Sequence, residues 1–159
     1  MRFLGIDFGD VRIGLAVSDS SGTIARPLRT ITPSGSLDEY VVIIAREVTA
    51  LASEVDGLDA LVVGVPRSLD GTPHQQTTRT LAFVESLRKA TALPVVTQDE
   101  RLTSVEAERR LAVQERDWKK RKVKLDAAAA AVILQEYLDT VGSRGHRKVP
   151  KELPADSPN

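Results

Sequence analysis

The run Phe3-Leu4-Gly5-Ile6-Asp7-Phe8-Gly9 decides how this chain is read. Its apolar residues, punctuated by glycine, describe a short buried strand, and Asp7 stands where a core side chain belongs. Burying a carboxylate is costly unless a cation meets it. No histidine is close in sequence and the chain has no cysteine. A divalent cation held by oxygen ligands therefore suits Asp7 better than zinc, and the other acids that share such a cation have to be sought further along the chain.

Working outward, Gly9-Asp10 reads as the tight connection of a β-hairpin between strands over about 3–8 and 11–18. Thr23 to Ile31 is a third strand, which Pro27 assigns to a sheet edge because proline cannot donate to a ladder. After Pro33-Ser34-Gly35-Ser36, apolar residues at helical spacing predict a helix over about 37–54. Leu61-Val62-Val63-Gly64-Val65 is short and β-branched, a buried parallel strand ending at Pro66, and Asp70-Gly71 marks the following loop. Next come a helix over about 74–89 and a short strand over 94–97, with Asp99-Glu100-Arg101 just beyond its end.

Thr103 and Glu106 have the spacing of a capping box, starting a helix that extends to about 115. The basic segment after it reads as a loop, and a last helix over about 125–141 contains the alanine run 127–131. Asp126 falls in its first turn, where the helix dipole favours an acid with no further role required. The expected fold is α/β: a mixed five-stranded sheet, three strands antiparallel and two parallel, with helices on both faces. Residues 1–141 form one domain, and 142–159, rich in proline and charge, form a flexible polar tail.

Composition narrows the function classes. The 159 residues suit a single domain with a real core. Without cysteine there is no disulfide framework and no thiol chemistry. No stretch resembles a signal peptide or spans a bilayer, so a soluble cytoplasmic protein without membrane contact is expected. Lysine plus arginine (22) equals aspartate plus glutamate (22), so net charge makes no case for a polyanionic partner. The distribution does. From Asp38 to Asp59 six acids face the single base Arg46, whereas from Arg109 to Lys124 eight bases face Glu115 and Asp117. Local potential steers a polyanion, although a basic run alone is also what a solvated surface loop contains.

Ligands of open α/β sheets collect at the carboxyl ends of strands. Asp7 lies toward such an end, Asp99 and Glu100 lie beside another, and Asp126 sits on a helix whose alanines permit close approach to the sheet. Two or three carboxylates on hard cations suit phosphodiester hydrolysis, with bases further out to hold a nucleic-acid backbone. Arg12 either meets that backbone or pairs with Asp10 or Asp19. Gly5, Gly9 and Gly14 either admit a phosphate backbone or serve the turns. Trp118 is a base-stacking candidate or a hydrophobic anchor, while His74 and His146 have no supporting constellation.

Four segments carry a resemblance: Gly5-Ile6-Asp7-Phe8-Gly9 with Arg12-Ile13-Gly14-Leu15-Ala16-Val17-Ser18-Asp19; Val63-Gly64-Val65-Pro66 with Leu69-Asp70-Gly71; Asp99-Glu100-Arg101-Leu102-Thr103-Ser104-Val105-Glu106-Ala107; and Lys124-Leu125-Asp126 with the alanines and Ile133-Leu134-Gln135. In that order they resemble the YqgF family, also called RuvX, over the chain up to about Asp139. The resemblance implies an RNase H-like fold and a metal-dependent nuclease that processes the 5′ end of pre-16S rRNA in ribosome biogenesis. The alternatives are a Holliday junction resolvase acting on branched DNA and a non-catalytic nucleic-acid-binding module. It implies Asp7, Glu100 and Asp126 as catalytic ligands of Mg²⁺ or Mn²⁺, two ions in all, with Asp99 assisting or replacing Glu100. Arg12, Arg101, Lys120, Arg121, Lys122 and Lys124 are the implied substrate contacts. RuvC-like enzymes place a glutamate after the fourth strand, and here the loop after Val65 supplies none in that place. Nucleic acid is the expected partner, with the chain a monomer or homodimer. The Asp-x-Gly hairpin is also similar to that of actin-like kinases, which need a second domain that this length does not hold.

Overall fold

Two apolar strands running in opposite directions start the sheet: β1 (Phe3–Phe8) and β2 (Ile13–Ser18). The structure, a computed structural model, describes residues 1–67, 75–100 and 118–143, with side chains in the last stretch given for 126–142. β3 (Ala25–Ile31), α1 (Leu37–Ala52), β4 (Ala60–Pro66), α2 (Gln75–Ala90), β5 (Val95–Glu100) and α3 (Trp118–Ser143) follow. The strands form one sheet in the order β3-β2-β1-β4-β5. β1 pairs antiparallel with β2 and β2 with β3, whereas β4 lies parallel to both β1 and β5. β1 and β4 are thus central, buried on both faces, and their near-continuous apolar sequence follows from that.

Strand alternation divides the core in two. Leu4, Ile6 and Phe8 point to the face covered by α1 and α2, where they join Ile44, Val48 and Phe83. Phe8 stacks on Phe83 with ring centroids 4.4 Å apart. Phe3 and Val62 point to the other face, beneath Ala130, Ile133 and Leu134 of α3. Asp7, by the same alternation, belongs to the α3 face.

Several boundaries differ from those read in the sequence. The hairpin connection is longer than Gly9-Asp10: Gly9 N–H donates to the Arg12 carbonyl at 3.0 Å, so residues 9–12 form the turn and β2 begins at Ile13. β3 starts at Ala25 because the Asp19 carboxylate accepts from the backbone N–H groups of Thr23 (2.8 Å) and Ile24 (3.0 Å), folding residues 19–24 into a turn. β5 runs on to Glu100, which is therefore the last strand residue and pairs with Pro66. α3 begins at Trp118, so the basic segment holding Lys120, Arg121, Lys122 and Lys124 is helix and not loop. Lysine and arginine are good helix formers, and 118–141 contains no glycine or proline to stop propagation. Asp126 is accordingly eight residues past the first residue of α3, out of reach of its dipole.

The helix expected over 103–115, the Asp70-Gly71 turn, Arg101 and the tail past Ser143 lie outside the described residues, as does the Trp118 side chain. No helix among the described residues is long and apolar enough to cross a membrane.

Candidate active site

Glycine sets the geometry of this site. Gly14 of β2 pairs directly with Asp7 of β1. A Cβ on Gly14 would stand 1.9 Å from the Asp126 carbonyl oxygen, so α3 rests on bare strand backbone at that point. The missing side chain brings Asp126 beside Asp7. Closer to the other end of α3, a Cβ on Gly5 would stand 2.8 Å from Leu134 Cβ and 3.1 Å from the Ala130 carbonyl, extending the same seat. Gly5 and Gly14 thus make room for a helix of the protein itself, and not for the nucleic-acid backbone offered as an alternative in the sequence reading.

Glu100 lies two strands from Asp7, with β4 between them. Gly64 of β4 removes the obstacle: a Cβ there would meet Glu100 Oε2 at 3.0 Å and Ile133 Cδ1 at 2.5 Å. The Glu100 carboxylate therefore leans over bare β4 backbone on the α3 face. Asp99 alternates to the opposite face and is exposed, which separates it from Asp7 and Asp126.

The electrostatics match this placement. Burial, followed by the negative charge of Asp126, raises the Asp7 pKa to about 7. Burial, then Asp7, then Glu136 raises Glu100 to about 8. No hydrogen-bond donor among the described residues holds either carboxylate in its charged form. Asp126 does have a cation: Arg12 Nε donates to its Oδ2 at 2.6 Å. Arg12 therefore pairs with neither of the acids close to it in sequence. Asp10 takes Arg79 instead, and Asp19 caps its own turn.

Three acids from a strand, a second strand and a helix, all on one face and two of them with raised pKa values, form an oxygen-only donor set that suits a hard divalent cation. As they stand, no three such side chains among the described residues are gathered closely enough to hold an ion.

The profile of the RuvX family, described as Holliday junction resolvase, matches residues 1–140. The chain belongs to the RuvX family. Two RuvX relatives carry the name "Putative pre-16S rRNA nuclease". That from Thermoanaerobacter pseudethanolicus is 39% identical over 142 residues, covering 88% of this chain and 97% of its own. That from Geobacillus kaustophilus is 40% identical over 140 residues, covering 88% and 99%. Two solved structures share the fold. RuvC of T. thermophilus, in complex with a Holliday junction substrate, superposes with a TM-score of 0.52 at 17% identity, over 91% of this chain and 96% of that one. The Fowlpox virus resolvase, also with junction DNA, gives 0.54 at 11% identity over 89% and 99%. The sheet is thus RNase H-like.

Two features of this RuvX chain escaped the sequence reading. Glu136 faces Glu100 electrostatically across the α3 face, and an acid between Gln135 and Tyr137 gives no local sign of that. Gly64 did leave a signal, since a lone glycine inside Val62-Val63-Gly64-Val65 marks a close approach.

Proposed function

We propose that this chain is a metal-dependent nuclease that hydrolyses phosphodiester bonds of RNA, with the 5′ end of pre-16S rRNA as its substrate and Asp7, Glu100 and Asp126 as its catalytic acids. The observation that carries the reading is the placement of these three carboxylates on one face, Asp7 and Glu100 toward the carboxyl ends of β1 and β5 and Asp126 on α3 across from them, with glycine clearing the space between. Relatives named for pre-16S rRNA nuclease activity, about 40% identical over nearly their full lengths, favour RNA.

The donor chemistry fits Mg²⁺ or Mn²⁺. Asp7, Glu100 and Asp126 would hold such ions, which when bound would supply Lewis acidity for the attacking water and the leaving oxygen. The chain contributes the rest. Asp7 and Glu100, both disposed to hold protons near neutrality, would have to give them up to hold a cation, so loading would strengthen with rising pH. Lys120, Arg121, Lys122 and Lys124 precede Asp126 on the same helix, within about 9 Å along its axis, and hold the nucleic-acid backbone beside the acids. Arg101 joins them as a further phosphate contact.

Branched DNA is the second reading, favoured by the family's description and by the fold shared with two junction resolvases. Labelled pre-16S rRNA ends, single-stranded RNA and four-way DNA junctions, each offered with Mg²⁺ or Mn²⁺ to the wild type and to Asp7→Asn, separate the two. Metal-dependent RNA cutting that falls by about two orders of magnitude or more in Asp7→Asn is expected. Paired symmetric nicks in the junction alone would move the substrate to branched DNA. Binding of nucleic acid with no cleavage by either protein would make the chain a binding module.

A further inference from the structure

The described residues pair the three acids unevenly. Arg12 neutralises Asp126, while Asp7 beside it meets no cation, and Glu100 none either. The contact links positions 114 residues apart, uses the single Nε–H of the guanidinium, and leaves both side chains about a quarter exposed, 25% for Arg12 and 27% for Asp126. A charge-assisted bond of this length is strong, but a single-pronged one in reach of water is easier to exchange than a buried bidentate fork.

The two ends of the bond are held differently. The Asp126 backbone is seated directly on the bare Gly14 backbone of β2. Arg12 belongs to the hairpin turn, outside both strand ladders, tied there through its carbonyl to Gly9 N–H. Of the two partners, Arg12 is the one free to swing away. A divalent cation between Asp7 and Asp126 would satisfy two carboxylates where the guanidinium satisfies one, and it carries twice the charge.

We propose that Arg12 is a positioning residue that holds Asp126 while the site is metal-free, yields that carboxylate to the arriving divalent cation, and is thereby released to meet the phosphate of the substrate. Metal loading and the readiness of Arg12 for substrate are one event. The inference rests on the metal-dependent reading above.

Two measurements that do not depend on catalysis test it. Free Mn²⁺, followed by electron paramagnetic resonance at alkaline pH, gives the affinity of wild type, Arg12→Gln, Arg12→Lys and Asp7→Asn. Removing a competing cation should tighten Mn²⁺ binding about three- to ten-fold in Arg12→Gln, with Arg12→Lys close to wild type. Unchanged or weaker binding in a folded Arg12→Gln would make Arg12 a fixed brace and overturn the proposal while leaving the nuclease reading intact. No Mn²⁺ binding by wild type, or equal binding by Asp7→Asn, would overturn both. The second measurement uses wild type, so it stands whether or not the variants fold: the Arg12 Nε–Hε resonance should move to the position of a free arginine on saturation with Mg²⁺. A resonance that stays in place at saturation would rule out the exchange.

Discussion

Asp7 and Glu100 give the metal-free protein a defined pH response. Their carboxyls ordinarily titrate at 3.8 and 4.5, and in the fold they are raised to about 7 and about 8. The folded chain then binds more protons than the unfolded one between these limits, so stability falls as pH rises from about 3.8 and levels off above about 8. In Asp7→Asn one of these charges is absent. Its thermal midpoint at pH 8 without metal should exceed that of wild type by about 3 °C or more, the difference vanishing below pH 4. Calorimetry across pH checks this, and an equal midpoint at pH 8 would mean that the Asp7 charge is not strained. At this scale the sequence revealed the anomaly of Asp7, because a carboxylate in an apolar strand is visible from its neighbours alone. The partner of Arg12 was out of reach, since Asp10 and Asp19 are near in sequence and Asp126 is near only in the fold.

The last helix ties together two parts that the sequence suggested were separate. Its basic first turns and Asp126 are one continuous rod, a continuity concealed because lysine and arginine are as common in solvated loops as in helices. Replacing Lys120, Arg121, Lys122 and Lys124 together with glutamine should weaken binding of single-stranded RNA and flatten its salt dependence, by about 0.7 in the log–log slope for each base that meets a phosphate. Filter binding across salt concentrations reads both, and an unchanged slope would remove these bases from the interface. The seat of the rod is equally testable. Gly14→Ala forces a methyl into the Asp126 carbonyl, where neither backbone can give way cheaply. A loss of about 1–3 kcal/mol in urea unfolding is expected, with Mn²⁺ affinity reduced as Asp126 is pushed outward. Gly64→Ala should be milder in stability because the tip of Ile133 can turn aside.

For the molecule as a whole, strand order followed from simple rules: a hairpin, an edge strand marked by Pro27, then β-branched runs separated by helices can be arranged in few ways. What those rules could not give is how far α3 sinks onto the sheet, which depends on glycines from three adjacent strands lying under one helix. The far margin of the sheet has a consequence of its own. β3 is the outermost strand, it carries Pro27 where a donor is missing, and its pairing slips by one residue between Leu15 and Ala16, leaving Leu28 as the extra residue. Arg26 and Arg29 are exposed along it, and the Gln135 amide of α3 occupies the Ala25 N–H and the Thr23 carbonyl. A foreign strand approaching from that side finds charge, a kink and backbone groups already engaged. Extension of the sheet by a second copy of the chain is therefore disfavoured on this flank.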